Sequence, residues 1–92
     1  MENQFSIEWL YNECVNHRKA LGLKFKSEEF PQLTIVDIVL DENQRKIIEK
    51  NISSGINTNI GILCCKGYCK ALDEKQEYFS FKVEDIEEVE FI

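Results

Sequence analysis

The residues with the most reactive side chains are four cysteines, Cys14, Cys64, Cys65 and Cys69, and one histidine, His17. Thiolate and imidazole are the usual ligands of tetrahedral zinc and the usual pair in nucleophilic catalysis. Cys14 and His17 stand at i and i+3, so a helix would place both on one face. Cys64 and Cys69 flank Lys66-Gly67. If that dipeptide turns a hairpin, the two thiols face each other on one side and Cys65 points to the other. Directly opposed side chains have Cβ atoms about 4.5–5.5 Å apart, close enough to share a metal. A site built from Cys14, His17, Cys64 and Cys69 is the metal arrangement this spacing allows.

Two features weigh against it. Cys14 falls in the middle of an apolar stripe, where a free cysteine packs as a small hydrophobe. The hairpin also lacks the two-residue ligand spacing and turn glycines of zinc knuckles. As a nucleophile, a cysteine would want His17 as its base, and no third group stands out to orient the pair. The N-terminal stretch MENQFSIEW carries acid and amide where a secretory leader needs basic and then apolar residues. A cytoplasmic protein is therefore expected, and structural disulfides are not. The thiols read as buried and inert, with no metal and no cofactor.

Other catalytic signatures are absent. The sequence has no GxGxxG, P-loop, HExxH or GxSxG. Gly55, Gly61 and Gly67 are isolated, so no phosphate cradle is expected. The acids Glu28-Glu29 and Glu87-Glu88 are adjacent, and on a strand such neighbours point to opposite faces. They cannot act jointly as acid and base. A non-enzymatic role is the expectation.

Charge is the stronger signal. The net charge is −6, and Asp73–Ile92 holds eight acids against two lysines, which accounts for all of it. His17, Arg18, Lys19, Lys24 and Lys26 form a modest basic stretch. The acids could simply solvate a strand face and blunt a sheet edge. They could also steer the protein toward a basic partner. Such a field repels phosphate backbones, which disfavours non-specific nucleic-acid binding. Trp9, the lone tryptophan, falls opposite the apolar stripe of its segment with Phe5 one turn earlier. That pair could dock a partner, or it could be clasped by Leu23, Phe25 and Phe30 folding back.

These residues need elements to position them. Residues 6–21 are predicted as a helix, with Ser6 as N-cap, Glu8 in the first turn and Gly22 after its end. Its stripe holds Ile7, Leu10, Cys14 and Leu21, flanked by Tyr11 and His17. Leu33–Leu40 is β-branched and reads as a strand approached through Pro31. Asp41 and Gln44 form a capping box for a second helix that would bury Ile47, Ile48 and Ile52 and end before Gly55. Beyond Ile60 the period becomes two, predicting strands at Ile60–Cys65, Tyr68–Leu72, Tyr78–Val83 and Glu87–Ile92. Asp73–Gln76 would reverse the chain. Leu63, Cys65, Tyr68, Phe79, Phe81, Val89 and Phe91 would share the inner face. Glu88 and Glu90 would project together from the outer face, with Glu84 and Asp85 at the corner.

The segment YFSFKVEDIEEVEFI resembles the closing strands of small SH3-like or Sm-like barrels, in which a strand, a one-turn corner and a final strand follow closely. The resemblance implies barrel-like closure and carries no functional residues. With 92 residues, 43% apolar and 30% charged, the chain is expected to form one globular domain over 1–92. The expected class is α+β: two helices on one face of a mostly antiparallel sheet with a C-terminal meander of three to four strands. No stretch is apolar enough to span a bilayer. The expected function is a small acidic protein-binding module occupying a basic site on a partner protein, with Trp9, Phe5, Glu84, Asp85, Glu88 and Glu90 as contacts. Inhibitors, immunity proteins and anti-defence proteins share this size and charge. The alternatives are a cysteine-based metal or redox regulator and an SH3/Sm-like nucleic-acid or ligand-sensing module.

Overall fold

The computed structural model describes residues 5–69 and 75–92. A short helix α1 (Ile7–Tyr11) runs into a π-helical turn at Asn12–Asn16. Then come strands β1 (Leu21–Phe25) and β2 (Leu33–Ile38), helix α2 (Glu42–Ser54), and strands β3 (Ile62–Cys69) and β4 (Glu77–Lys82). A 3-10 turn at Val83–Asp85 leads into β5 (Ile86–Phe91). The strands form one antiparallel sheet in the order β4-β3-β2-β1-β5. The α+β class is as expected. No described helix is long and apolar enough to cross a membrane.

The sheet is curled. In a flat sheet of five strands the edges would lie about 19 Å apart, four spacings of about 4.8 Å. Here a three-residue 3-10 turn joins edge strand β4 to edge strand β5. At about 2 Å per residue that turn spans only about 8 Å. The rings of Phe25 on β1 and Phe81 on β4 meet with centroids 5.2 Å apart, although two strands lie between them. The edge strands β4 and β5 are not paired with each other, so the sheet curls without closing.

Alternation sets the core. Leu21, Leu23 and Phe25 of β1, Leu33, Ile35 and Ile38 of β2, and Leu63, Cys65 and Cys69 of β3 are buried with Phe81, Val83 and Ile86. Leu10, Tyr11, Cys14 and Ile48 from the helical segments complete the same cluster. β2 carries a bulge at Val36, since Ile35 pairs with Gly67 and Asp37 with Lys66. A second irregularity near Glu87 pairs Phe25 with Ile86 and Lys24 with Glu88.

Four expectations are corrected. The first helix ends near Asn16 and does not reach residue 21. Ser6 caps it as expected, accepting from the Trp9 amide at 3.0 Å. After His17 the chain turns through Arg18, which has a φ of 54°. Leu21–Phe25 then forms a strand whose inward residues have a period of two. Lys66-Gly67 makes no turn: β3 runs unbroken from Ile62 to Cys69, because Gly67 is needed where β2 passes closest. Tyr68 consequently faces away from the core, and Gly67 and Cys69 take the inward places. Ile47 is 60% exposed, leaving Ile48 and the half-buried Ile52 as the inward residues of α2.

The capping box of Asp41 and Gln44 is present, and Gly55 ends α2 in the left-handed conformation. Phe79 is half-buried, and Val89 packs against the core from β5. Part of the expected strand Tyr68–Leu72 and of the reversal at Asp73–Gln76 lies outside the described residues.

The helical segments are tied to one another by polar side chains. Glu8 is 3% exposed and accepts from the Thr58 amide at 2.5 Å, the Thr58 hydroxyl at 3.0 Å and Asn51 Nδ2 at 3.2 Å. Tyr11 donates its hydroxyl to Glu49 at 3.1 Å. One buried carboxyl thus ties α1 both to α2 and to the connection that follows it.

Candidate protein-binding surface

The four residues considered for a metal site are not brought together. Cys64 and Cys69 lie on one continuous strand, five residues apart, so they point to opposite faces. Cys14 is buried, while His17 stands in solvent with Nδ1 3.3 Å from Glu13. Among the described residues, no cluster of three or more His, Cys, Asp or Glu side chains could hold a metal. The tetrad expected from the hairpin fails because the hairpin does not form.

Cys14 and Cys65 instead face the core. Burial pushes the Cys14 thiol from 9.0 up to about 11, and the charge of Asp37 adds to the shift. Burial raises Cys65 further, with smaller effects from Cys14, Cys64 and Asp37. A thiol that keeps its proton is a poor nucleophile. Between pH 9 and 11 the unfolded chain releases protons that the folded chain keeps. Stability is therefore full below about pH 9 and falls as pH rises through that window. Urea denaturation at about pH 8 and about pH 10.5 should show a lower midpoint at the higher pH. Cys14→Ala should reduce the difference.

The aromatic pair is engaged within the fold. Trp9 is half-buried, with Phe5 on one side at 5.6 Å and Phe91 on the other at 6.0 Å between centroids. The aromatic clasp on Trp9 thus includes Phe91 of β5, while the ring of Phe25 pairs with Phe30 and Phe81. Lys19 Nζ lies 4.7 Å from the Phe91 ring centre, a cation–π contact. Lys19 and His17 also flank Glu13, which offsets part of the basic stretch.

The acids divide into two groups. Glu84 belongs to the scaffold: its carboxylate accepts from the Gly61 amide at 3.2 Å. Backbone N–H donors of Glu84 itself and of Gly61 hold it below the usual carboxylate range. Asp85, Glu87, Glu88 and Glu90 are exposed. Glu88 and Glu90 sit opposite Lys24 and Gly22 on the outer face of β5. Lys24 reaches toward Glu87, at 4.0 Å, so Glu88 and Glu90 form no salt bridge within 4.0 Å among the described residues. Comparison with protein-family models, with curated proteins and with solved structures finds no match. The surface must be read from its own chemistry.

Sequence reasoning missed one feature of this side of the molecule. Phe25, Phe30, Ile62 and Phe81 line an apolar cleft of about 310 Å³ beside the corner, with Asp85 at its rim. Its signal was the alternation of LGLKF, which places Phe25 inward at the end of a strand.

Proposed function

We propose that the chain is a non-catalytic protein-binding module that receives a basic surface of a partner protein on the outer face of β5. The observation that supports it is the pair Glu88 and Glu90, projecting side by side from an edge strand. Asp85 and Glu87 continue the same charge around the corner. Phe5 and Trp9 brace the far end of that strand through Phe91, while the acids make the contact. Inhibitors and immunity proteins that block a basic site work in this way, by complementary charge that speeds encounter and rejects wrong partners.

The experiment begins with recovery of the partner from the native host and continues with kinetics. Reversing Glu88 and Glu90 to Lys moves the net charge by +4, from −6 to −2, without touching a buried residue. Association should slow by about tenfold at low ionic strength. The gap from wild type should narrow near 0.15 M salt, where the Debye length is about 8 Å. Unchanged association kinetics would sink the acidic-face reading.

A further inference from the structure

Three shallow clefts neighbour one another, each sharing lining residues with the next. The first lies on the outer face of β1 and β5, over Gly22 and beside Glu88 and Glu90. The second shares Lys24 and Gln32 with the first. It also shares Phe25, Ser27 and Phe30 with the third, the apolar cleft beside the corner. Ile92 lies over Gly22, close enough that a Cβ there would come within 3.1 Å of Ile92 Cδ1, and its side chain walls the first cleft at that point.

The ends of this groove differ in chemistry. Glu88 and Glu90 make one end acidic. The other end is aromatic, with the Phe25 and Phe30 rings 4.6 Å apart and Ile62 70% exposed. In the middle, Lys24 lies 4.0 Å from Glu87, and the lysines along the clefts, Lys24, Lys26 and Lys82, are outnumbered by the acids Glu28, Asp85, Glu87, Glu88 and Glu90. Phosphate-rich ligands are repelled at the acidic end. A second copy of the chain would bring another −6 to the same surface. A long, narrow track with one acidic and one apolar end fits an extended peptide.

We infer that the groove binds an extended segment of the basic partner, with Lys or Arg against Glu88 and Glu90 and one large apolar side chain in the Phe25–Phe30–Phe81 cleft. The inference rests on the acidic-face reading and names the shape of the partner. Gly22 to Phe25 spans about 10 Å, and side chains on one face of an extended peptide recur every second residue, so the basic residue and the apolar anchor should stand about two or four residues apart.

The test is selection of a random twelve-residue peptide library on the immobilised full-length chain, followed by fluorescence polarisation with the best peptide. Selected sequences should pair a basic cluster with an aromatic or large aliphatic residue at that spacing. Glu88→Lys with Glu90→Lys should weaken binding about tenfold, as should Ile62→Ser, which alters an exposed side chain only. Gly22→Val should push Ile92 into the first cleft and weaken binding similarly, and Phe30→Ser serves in its place if the valine variant does not fold. Sequences without this pattern, or the absence of any enriched sequence, would overturn the groove. Binding sensitive to the charge reversal but not to Ile62→Ser or Gly22→Val overturns the groove and leaves the acidic-face reading standing. Insensitivity to every variant overturns both. A dimer in sedimentation that Gly22→Val disrupts would assign the groove to a second copy instead.

Discussion

Gly67→Ala should leave the chain unable to form its sheet. Gly67 sits in the middle of β3, opposite Ile35 and beside the bulge of β2. A Cβ added there would lie 2.1 Å from the carbonyl oxygen of Thr34 and 2.9 Å from the Cα of Ile35. Both are backbone atoms, so no side chain can rotate away to make room. Overpacking an ordinary core costs about 1–3 kcal/mol. Here β2 itself must move, and the cost should consume most of a stability of about 5–15 kcal/mol. The expected result is loss of the cooperative thermal transition. Gly55→Ala is the comparison: it has a φ of 71° with nothing within 4 Å of the new Cβ. The left-handed conformation alone should cost about 1–2 kcal/mol there, and the variant should stay folded. Equal melting of the two variants would refute the close approach of β2 and β3.

Phe81→Ala should lower stability by about 3–5 kcal/mol, measured by urea denaturation. Phe81 is 5% exposed, and its ring meets Phe25 edge-on across the curled sheet. Removing it opens a void where β1 and β4 approach and also loses an aromatic pair worth about 0.5–1.5 kcal/mol beyond its area. Ser80 points outward opposite Cys64, and Ser80→Ala should be nearly silent. Phe79→Ala should fall between the two, because Phe79 is half-buried. Similar losses at positions 79, 80 and 81 would mean that β4 does not alternate as described.

Local rules were readable wherever one residue type had one job. The capping box of Asp41 and Gln44, the Ser6 cap and the left-handed Gly55 are all of this kind. So was the C-terminal alternation that placed Phe79 and Phe81 inward and Glu88 and Glu90 outward, although Phe91, expected inward, is 51% exposed. Failure came where tertiary contact overrode a local signal. A glycine after a lysine between two β-rich runs looks like a hairpin turn, yet Gly67 answers to β2, a strand more than thirty residues earlier. Leu21 lay in phase with the helical stripe, but Arg18 takes a positive φ that nothing in its residue type announces. The metal arrangement that the spacing allowed rested on the hairpin and goes with it. The outward placement of Glu88 and Glu90 was legible because it depends on alternation in one strand, while the bond from Gly61 to Glu84 was not, because Gly61 is a distant residue.

The pairing of β1 with β5 has a kinetic consequence. Leu21 lies opposite Phe91, seventy positions along the chain. The inward face of β1 cannot be bordered on both sides until the segment forming β5 has left the ribosome. Until then Leu21 and Leu23 have β2 on one side only, and Phe25 lacks its partner Ile86. Loop-closure entropy for so distant a partner must be overcome before its contacts form, which places closure late and in the slower range of small-domain folding, milliseconds or longer. A nascent chain arrested before residue 86 should remain sensitive to protease, and release of the last strand should confer resistance in a single step.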